Sequence, residues 1–370
     1  MAVFRVELKR VVDDTYDIEI GFDLKKHLLN DINDKIFGNI NKFVIITDSN
    51  VVNLYGKPIY EMLIDAGYKA DILVFEAGEK SKTRKVKEEL EDAMLEKDYR
   101  RDCMVIAVGG GVVTDMAGFV AGTFARGVPF INYATTLLAA ADASVGGKTA
   151  VDTKRATNLI GLFNQPKKVY IDIDTWNTLD ARQISSGMAE TIKHACFADS
   201  ALFEYLEENM DKILSVDKKA CEHIANENCK IKYNVVMKDE KESGLREILN
   251  LGHTVGRAIE TVSNYQLLHG EAVAIGLVFE AYLAKKLGYM NDDEVKRMIN
   301  LIKSAKLPVS IPDYIDREEL VKKLYTDKKV RDGKLRFVIQ KGIGDIVQFG
   351  ENVYAIPITE DVVREVMKEL

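Results

Sequence analysis

The sequence predicts an α/β N-terminal half built on a parallel, Rossmann-like sheet, followed by a mainly α-helical C-terminal half. Three observations carry this. Short buried apolar runs that end in turn residues, KFVIIT (42–47), ADILVFEAG (70–78) and MVIAVGGG (104–111), alternate with helical stretches, the pattern of a parallel sheet covered by helices. The third run closes in Gly109, Gly110 and Gly111 and feeds a helix at about 112–125. From Asp180 onward the texture changes to long amphipathic helical patterns. The boundary therefore falls near 179–181, dividing the chain into 1–179 and 180–370. A cleft between the halves is the default ligand site.

In chain order, 4–8 and 16–20 read as an antiparallel strand pair, with a helix from about Asp23. The strand 42–47 ends at Asp48. A helix near 55–66, the strand 70–78 and a charged helix over about 83–97 follow. After the glycine turn and its helix, KKVYIDID (167–174) closes the first half. Ligands of such sheets bind at the carboxyl ends of the strands. Asp48, the turn from Glu79 to Lys82 and the three glycines all fall there. Helical patterns then run over 184–194, 201–209, 218–236, 245–262, 272–287 and 292–305, until Pro308 and Pro312 break them. LRFVIQ and DIVQFG read as a strand pair closing around Gly342–Gly344, and a terminal helix begins near Thr359.

Composition narrows the function classes. The 370 residues suffice for two domains with sizeable cores. Hydrophobic residues at 47% and charged residues at 29% are ordinary for a globular protein. The net charge is −7, from 51 basic and 58 acidic residues with no basic block, which argues against a nucleic-acid partner. No apolar run reaches membrane-spanning length, and the opening MAVFRVELKR lacks a signal-peptide pattern. The expectation is a cytoplasmic protein with no membrane partner. Cys103, Cys196, Cys221 and Cys229 have neither metal nor redox spacing and read as reduced thiols.

Two constellations bear chemistry, beside a third feature, the glycine turn. The helix after that turn points free N–H groups and its positive end at any anion placed there, although the spacing is not G-x-G-x-x-G and a tight turn alone would use such glycines. Arg126, Thr135, Thr136, Asp142 and Lys148 follow in a segment otherwise made of small apolar residues, where polar groups are costly to bury without a role. Of only five histidines, His253 in NLGHT and His269 in LLHGE sit in polar, glycine-containing settings, and Glu190 lies in GMAETIKH. Two imidazoles and a carboxylate suit an open catalytic zinc site. By spacing alone they suit hydrogen-bonded helix histidines as well. Lys148, Lys193 one turn after Glu190, Lys232 and Arg246 make a cationic set fit for phosphate and carboxylate groups. Singly each reads as a solvated charge, Lys148 least so because its neighbours are small and apolar.

GGGVVTDMAGF, RGVPF, TTLLAAADASVGGKTAV, GMAETIKH, GLREILNLGHT and LLHGEAVAIGL, in this order, resemble the 3-dehydroquinate synthases of the shikimate pathway and, more widely, the sugar-phosphate cyclases, over about 40–345. The resemblance implies a dehydroquinate synthase-like fold: an NAD-binding domain over 1–179, a helical metal- and substrate-binding domain over 180–370, and a homodimer. It implies NAD+ recycled within each turnover and one divalent metal, Zn2+ or Co2+. Glu190, His253 and His269 match the metal ligands. Asp48, Glu79, Lys82, Gly110, Gly111, Asp115, Thr135, Thr136, Thr178, Leu179 and Gln183 match NAD-contacting positions, with Lys148, Thr157 and Thr175 beside them. Asn158, Lys232, Arg246 and Asn250 match substrate-binding positions, and Asp142, Lys148, Lys193 and Glu242 the catalytic group. Arg126 matches an arginine that reaches the neighbouring subunit's site. Lys328 or Lys329, in DKKVRDGK, matches a late phosphate contact. The implied reaction converts 3-deoxy-D-arabino-heptulosonate 7-phosphate to 3-dehydroquinate and phosphate. Its steps are transient oxidation, phosphate β-elimination, re-reduction, ring opening and intramolecular aldol closure, with Lys193 assisting at a substrate hydroxyl and Glu242 handling a proton at ring opening.

The chain departs from the family pattern at four places. Thr114 replaces a glycine and Ala134 a proline. Thr157 replaces an NAD-contacting lysine, with Lys154 and Arg155 nearby. Arg257 replaces the second histidine of GHTxGH, so it still suits a phosphate but cannot shuttle a proton near neutral pH. Retention of Arg246 and Asn250 favours a carboxylate-bearing substrate. The alternatives are another sugar-phosphate cyclase, of the amino-dehydroquinate or sedoheptulose 7-phosphate type, and a metal- and NAD-dependent polyol dehydrogenase. The latter would not need the cluster of Lys148, Lys193, Lys232 and Arg246.

Overall fold

The computed structural model describes residues 3–9, 11–153, 156–325 and 334–370. The first half comprises β1 (Asp17–Gly21), α1 (Lys25–Asn33), β2 (Lys42–Asp48), α2 (Lys57–Asp65), β3 (Lys69–Phe75), α3 (Arg84–Glu96), β4 (Cys103–Gly109), α4 (Gly111–Thr123), β5 (Phe130–Ala134), β6 (Lys148–Val151), β7 (Ile160–Phe163) and β8 (Lys168–Asp172). The second comprises α5 (Ala181–Ala198), α6 (Ser200–Leu214), α7 (Lys218–Lys238), α8 (His253–Val262), α9 (His269–Lys286), α10 (Asp292–Ser304), α11 (Arg317–Leu324), β9 (Leu335–Val338), β10 (Ala355–Ile358) and α12 (Glu360–Val366). No helix among the described residues is long and apolar enough to cross a membrane. All four cysteines are buried and unbridged.

The main sheet has the order β1-β8-β5-β4-β2-β3, and every pair in it is parallel. Its inner strands β2 and β4 are buried on both faces, which is why 43–46 and 104–108 are continuous apolar runs without alternation. The chain leaves β2 outward to β3, then returns to the other side of β2 as β4. The strand order thus reverses between β2 and β4, and the crevice outside their carboxyl ends is where open α/β sheets bind ligands. Asp48 ends one of these strands and Gly109 the other. A separate antiparallel hairpin, β6 with β7, stands beside α4, with Lys148 opposite Phe163.

Helices of the second half start at acidic caps. The side chains of Asp180, Asp199 and Asp217 accept backbone N–H groups at the starts of α5, α6 and α7. α9 is buried nearly all round and is packed by α5, α8 and α10. The largest apolar cluster joins this bundle to β5, β8 and the turn at Trp176, so the two halves share one core.

Three expectations need correction. Residues 4–8 form no strand. β1 pairs in parallel with β8, and its Ile18 and Ile20 pack on the shared core, whereas Phe4 and Leu8 stay 88% and 81% exposed with nothing to bury against. The helix expected over 245–262 breaks into a short 3-10 turn, Leu245–Asn250, and α8. Gly252 between them takes a left-handed φ of 77°, because α9 lies against it: a Cβ on Gly276 would sit 1.9 Å from the Gly252 carbonyl oxygen. The Gly252 N–H donates to the buried Glu280 carboxylate at 2.7 Å. Finally, β9 pairs with β10 rather than with 345–350, which meets 339–341 through an isolated bridge between Gln340 and Ile346 and the Val347–Ile339 and Lys341–Asp345 backbone bonds, while Gly350 bridges Val353. Gly344 turns away because its N–H is held by the Cys196 carbonyl at 2.8 Å.

Between α7 and the 3-10 turn the chain is stapled by Asp239. One of its oxygens accepts from Ser243 N at 2.8 Å and Ser243 Oγ at 2.9 Å, and the other from Gly244 N at 2.8 Å and Arg246 N at 2.9 Å. Burial pushes the Asp239 carboxyl up, but these donors outweigh it and bring its pKa to about 2.

Two outcomes follow from this packing. Gly276→Ala should lower stability by about 1–3 kcal/mol, read as a lower denaturation midpoint with an unchanged m-value. Asp239→Asn should lower it by about 1–3 kcal/mol at neutral pH. Since the Asp239 pKa is depressed, its contribution is full above about pH 4 and fades as pH falls toward 2. The stability gap between the two proteins should close over that window; a gap constant from pH 7 to 2 would contradict it.

Candidate active site

Three helices converge on one buried carboxylate. Glu190, in the middle of α5, is 0% exposed. His253 opens α8 because Gly252 reverses the chain just before it. His269 opens α9, whose start presses on α5 so closely that a Cβ on Gly270 would lie 1.8 Å from the Ser186 carbonyl oxygen. The Nε2 atoms of His253 and His269 each stand 3.4 Å from Glu190 Oε1. Ligand atoms held about 2.0–2.1 Å from a tetrahedral ion are separated by about 3.4 Å.

The second layer fixes the tautomers. His253 Nδ1 donates to the Leu251 carbonyl at 3.0 Å, and His269 Nδ1 to Glu260 Oε2 at 3.2 Å. Carbonyl and carboxylate oxygens only accept, so both Nδ1 atoms carry hydrogen and both Nε2 atoms face Glu190. Neither Glu190 oxygen has a donor at hydrogen-bond geometry among the described residues, although Lys193 pairs with it. Burial pushes the Glu190 carboxyl up, but Lys193 and His253 outweigh it and keep it ionised. Burial lowers His253 well below its usual value. It also opposes charge on His269, yet Glu260 and Glu190 raise that pKa to about 10. The cluster is electrostatically set for a positive charge, and its donors fit a divalent metal. A second grouping, Asp142, Glu190 and His194, shares Glu190 with the first and fits less well, because its Asp142 is taken by Lys232 at 2.7 Å. His27 pairs with Glu19, and His223 lies on the Tyr205 ring.

Beside the cluster opens a cavity of about 350 Å³, lined by Asp115, Asp142, Lys148, Asn158, Lys232, Glu242, Arg246, Asn250, His253 and Arg257. It therefore gathers most of the substrate-site residues expected from sequence. Lys232 Nζ reaches Asp142 Oδ1 at 2.7 Å. Asp142 is pushed up by burial but held well below the usual carboxylate range by Lys232 and Lys193. Glu242 bridges Lys148 at 2.7 Å and Asn250 at 2.6 Å. Its backbone is left-handed, φ 60°, a conformation that costs a non-glycine residue about 1–3 kcal/mol. Arg246, 1% exposed, donates to the carbonyls of Gly146, at 2.9 Å, and of Glu240, and lies over the Phe163 ring. Arg257, one turn after His253, lines the same cavity. Arg126 does not line it: it is exposed, at the end of α4, where Ala125 and Arg126 are both left-handed with φ of 51° and 69°. Lys328 and Lys329 lie outside the described residues, as do Lys154 and Arg155.

At the sheet's reversal point, no side chain caps α4, so its first N–H groups face the crevice. A Cβ on Gly110 would come within 3.1 Å of Thr136, and one on Gly111 within 3.2 Å of Ala143. The Thr135 hydroxyl is buried without a partner among the described residues. Lys82 Nζ joins Asp115 at 2.5 Å, Glu79 at 3.4 Å and Asn158 Oδ1 at 2.6 Å. Burial opposes its charge, but Asp115 and Glu79 raise its pKa. Asp48 accepts from Asn50 and Val51 N–H at 2.9 and 3.0 Å. These groups fit a phosphate-bearing dinucleotide. Tyr55 shares a hydrogen bond with Thr178 at 2.9 Å, whereas the buried Thr175 hydroxyl is spent on the Asp172 carbonyl at 2.6 Å. Leu179 and Gln183 sit just beyond, Gln183 exposed, and Thr157 is half-buried in the hairpin loop. Sequence reading missed Glu260 and Asp239. The signal for Glu260 was present: it lies seven residues after His253, two turns along one helix face.

Comparisons with known proteins agree with this geometry. Residues 72–186 match the family model described as 3-dehydroquinate synthase N-terminal, and 187–330 the one described as 3-dehydroquinate synthase C-terminal. The 3-dehydroquinate synthase of Caldanaerobacter subterraneus subsp. tengcongensis is 44% identical over 356 residues, covering 94% of this chain and 96% of that one. Among solved structures, ValA, the 2-epi-5-epi-valiolone synthase of Streptomyces hygroscopicus subsp. jinggangensis with NAD+ and Zn2+ bound, superposes with a TM-score of 0.87 at 27% identity, covering 99% of both chains. A 2-deoxy-scyllo-inosose synthase complexed with carbaglucose-6-phosphate, NAD+ and Co2+ also gives 0.87, at 25% identity over 95% of this chain and 96% of that one. With the two family models matched over adjoining stretches that together span 72–330, the chain belongs to the 3-dehydroquinate synthase family.

Proposed function

We propose that this protein converts 3-deoxy-D-arabino-heptulosonate 7-phosphate to 3-dehydroquinate and phosphate. The observation that carries the reading is the juxtaposition of the Glu190, His253 and His269 cluster with a cavity ringed by Lys148, Lys232, Arg246 and Arg257. When bound, NAD+ supplies a hydride acceptor and donor, and Zn2+ or Co2+ a Lewis acid.

The chain's own residues do the rest by placement and charge. Glu190, His253 and His269 would hold the metal. The α4 N-terminus with Gly110, Gly111, Thr135 and Thr136, and the Asp48, Glu79, Lys82 and Asp115 groups, would hold NAD+, with Thr157, Thr175, Thr178, Leu179 and Gln183 at the edges. Asn158, Lys232 and Arg257 take phosphate oxygens, and Arg246 with Asn250 takes the carboxylate. Lys193, beside Glu190, keeps a positive charge where a substrate hydroxyl gives up its proton. Lys148 and Asn250 both hold Glu242, so its carboxylate can take a proton at one substrate oxygen and return it during ring opening. Asp142 fixes Lys232 toward the cavity. The pairing of Arg246 with Asn250 favours this substrate over sedoheptulose 7-phosphate, which lacks a carboxylate. In the same reading the enzyme is a cytoplasmic homodimer in which Arg126 serves the neighbouring subunit's site, and 1–179 and 180–370 are its two domains.

The test is phosphate release by purified protein with substoichiometric NAD+ and zinc or cobalt. Turnover far above the NAD+ supplied, and lost on chelation, is expected. Release from sedoheptulose 7-phosphate alone would move the protein to another cyclase class, and NADH accumulating with simple polyols would sink the cyclase reading. Glu260→Gln should weaken metal affinity about 10–100-fold by loosening His269, measured by competition with a chromogenic chelator. Unchanged affinity would remove Glu260 from the metal's support.

A further inference from the structure

We propose that Tyr16, near the start of the chain, is a positioning residue for the substrate site: its hydroxyl fixes the Gly146 peptide and, through it, the Arg246 guanidinium. The proposal rests on the function given above, in which Arg246 takes the substrate's carboxylate.

The chain of contacts is short. The Gly146 N–H donates to the Tyr16 hydroxyl oxygen at 3.0 Å. The carbonyl of the same residue accepts from Arg246 Nη2 at 2.9 Å. Gly146 has φ 94°, and a Cβ there would lie 2.4 Å from Arg246 Nη2, so its backbone is pressed against the guanidinium. The other holds on Arg246 are the Glu240 carbonyl and the Phe163 ring, whose centroid is 5.7 Å away. Tyr16 is itself wedged: half-buried, packed on the core shared by both halves, and immediately ahead of β1, which anchors it to β8.

The physical need is specific. An inward-facing amide must find an acceptor, and Gly146 sits in a left-handed turn of small residues that offers none of its own. A carboxylate there would pair with Arg246 and neutralise it. A phenol oxygen accepts without adding charge, so the guanidinium remains available to an anion in the cavity. Without that acceptor the Gly146 peptide is free to turn its N–H toward water, and its carbonyl then leaves Arg246. The orientation of a substrate-binding arginine thus depends on Tyr16, which lies 130 positions before the Gly146 peptide it holds.

Tyr16→Phe removes the hydroxyl and little else. In the NAD- and metal-loaded enzyme it should raise KM for the heptulosonate phosphate by about 5–20-fold, with kcat within about twofold, the thermal midpoint within about 3 °C, and an unchanged inhibition constant for inorganic phosphate. Amide exchange in a peptide covering 144–148 should accelerate while distant peptides keep their rates. Wild-type KM and wild-type exchange at 144–148 would overturn the proposal, and so would a collapse of kcat or of phosphate binding, which marks general damage to the site. If the wild-type enzyme fails to turn over the heptulosonate, the function reading fails separately, and the exchange measurement still decides whether Tyr16 holds the Gly146 peptide.

Discussion

A carboxylate with no exposure sets the terms for the second half of the molecule. Glu190 stays ionised in the bundle interior only because Lys193, His253 and His269 surround it. Each of those neighbours demands its own structure: α5 must place Lys193 one turn on, α8 must start where Gly252 reverses the chain, and α9 must start against Ser186. Losing one partner would leave a buried charge uncompensated, which costs more than the pair itself contributes. The close glycine contacts of Gly252, Gly270 and Gly276 follow from this. They let backbone approach backbone so that ligands carried on three separate helices meet within hydrogen-bond range.

The cavity is organised by contacts that run from residues 142–165 to residues 232–246. Lys148 with Glu242, Asp142 with Lys232, Gly146 with Arg246 and Gln165 with Glu240 all do so. These bonds tie the glycine-rich SVGGK segment and the β6–β7 hairpin to α7 and the stapled 239–246 loop. Left-handed backbone at Glu242 falls at one of these contacts, and left-handed backbone at Asn158 falls where Lys82 and Asp152 meet the hairpin loop. Strain of this sort persists where surrounding bonds over-determine it, and here both residues are held at two or more points.

What was legible in the sequence follows from range. The stretches 43–46 and 104–108 are apolar throughout because both sheet faces are covered there, and the acidic caps announce the starts of α5, α6 and α7 within a few residues of each helix. Lys148 stood out as a cation among small apolar residues, and His253 and His269 as histidines in polar, glycine-containing settings. What failed depends on partners distant in sequence. The break at Gly252 is imposed by Gly276 and Glu280, the choice of β10 over 345–350 by Cys196, and the unpaired state of 4–8 by the claim of β8 on β1. Asp239 was invisible for the opposite reason: its four acceptor contacts are local, but an aspartate in a charged run looks like a solvated one.

Two of the departures from the family pattern bear on charge. Thr157 removes a cation from the loop between β6 and β7, and Arg257 adds one where a neutral imidazole would be usual near pH 7. A lysine on a hairpin loop moves with that loop. Arg257 is fixed on α8, one turn from His253, with its Nε buried and without a partner among the described residues. A donor left in that state favours an acceptor brought by the substrate, and a guanidinium keeps its proton through the whole working range of pH. In the proposed reading, proton transfer falls to groups that can titrate, Glu242 among them, while Arg257 holds an anion.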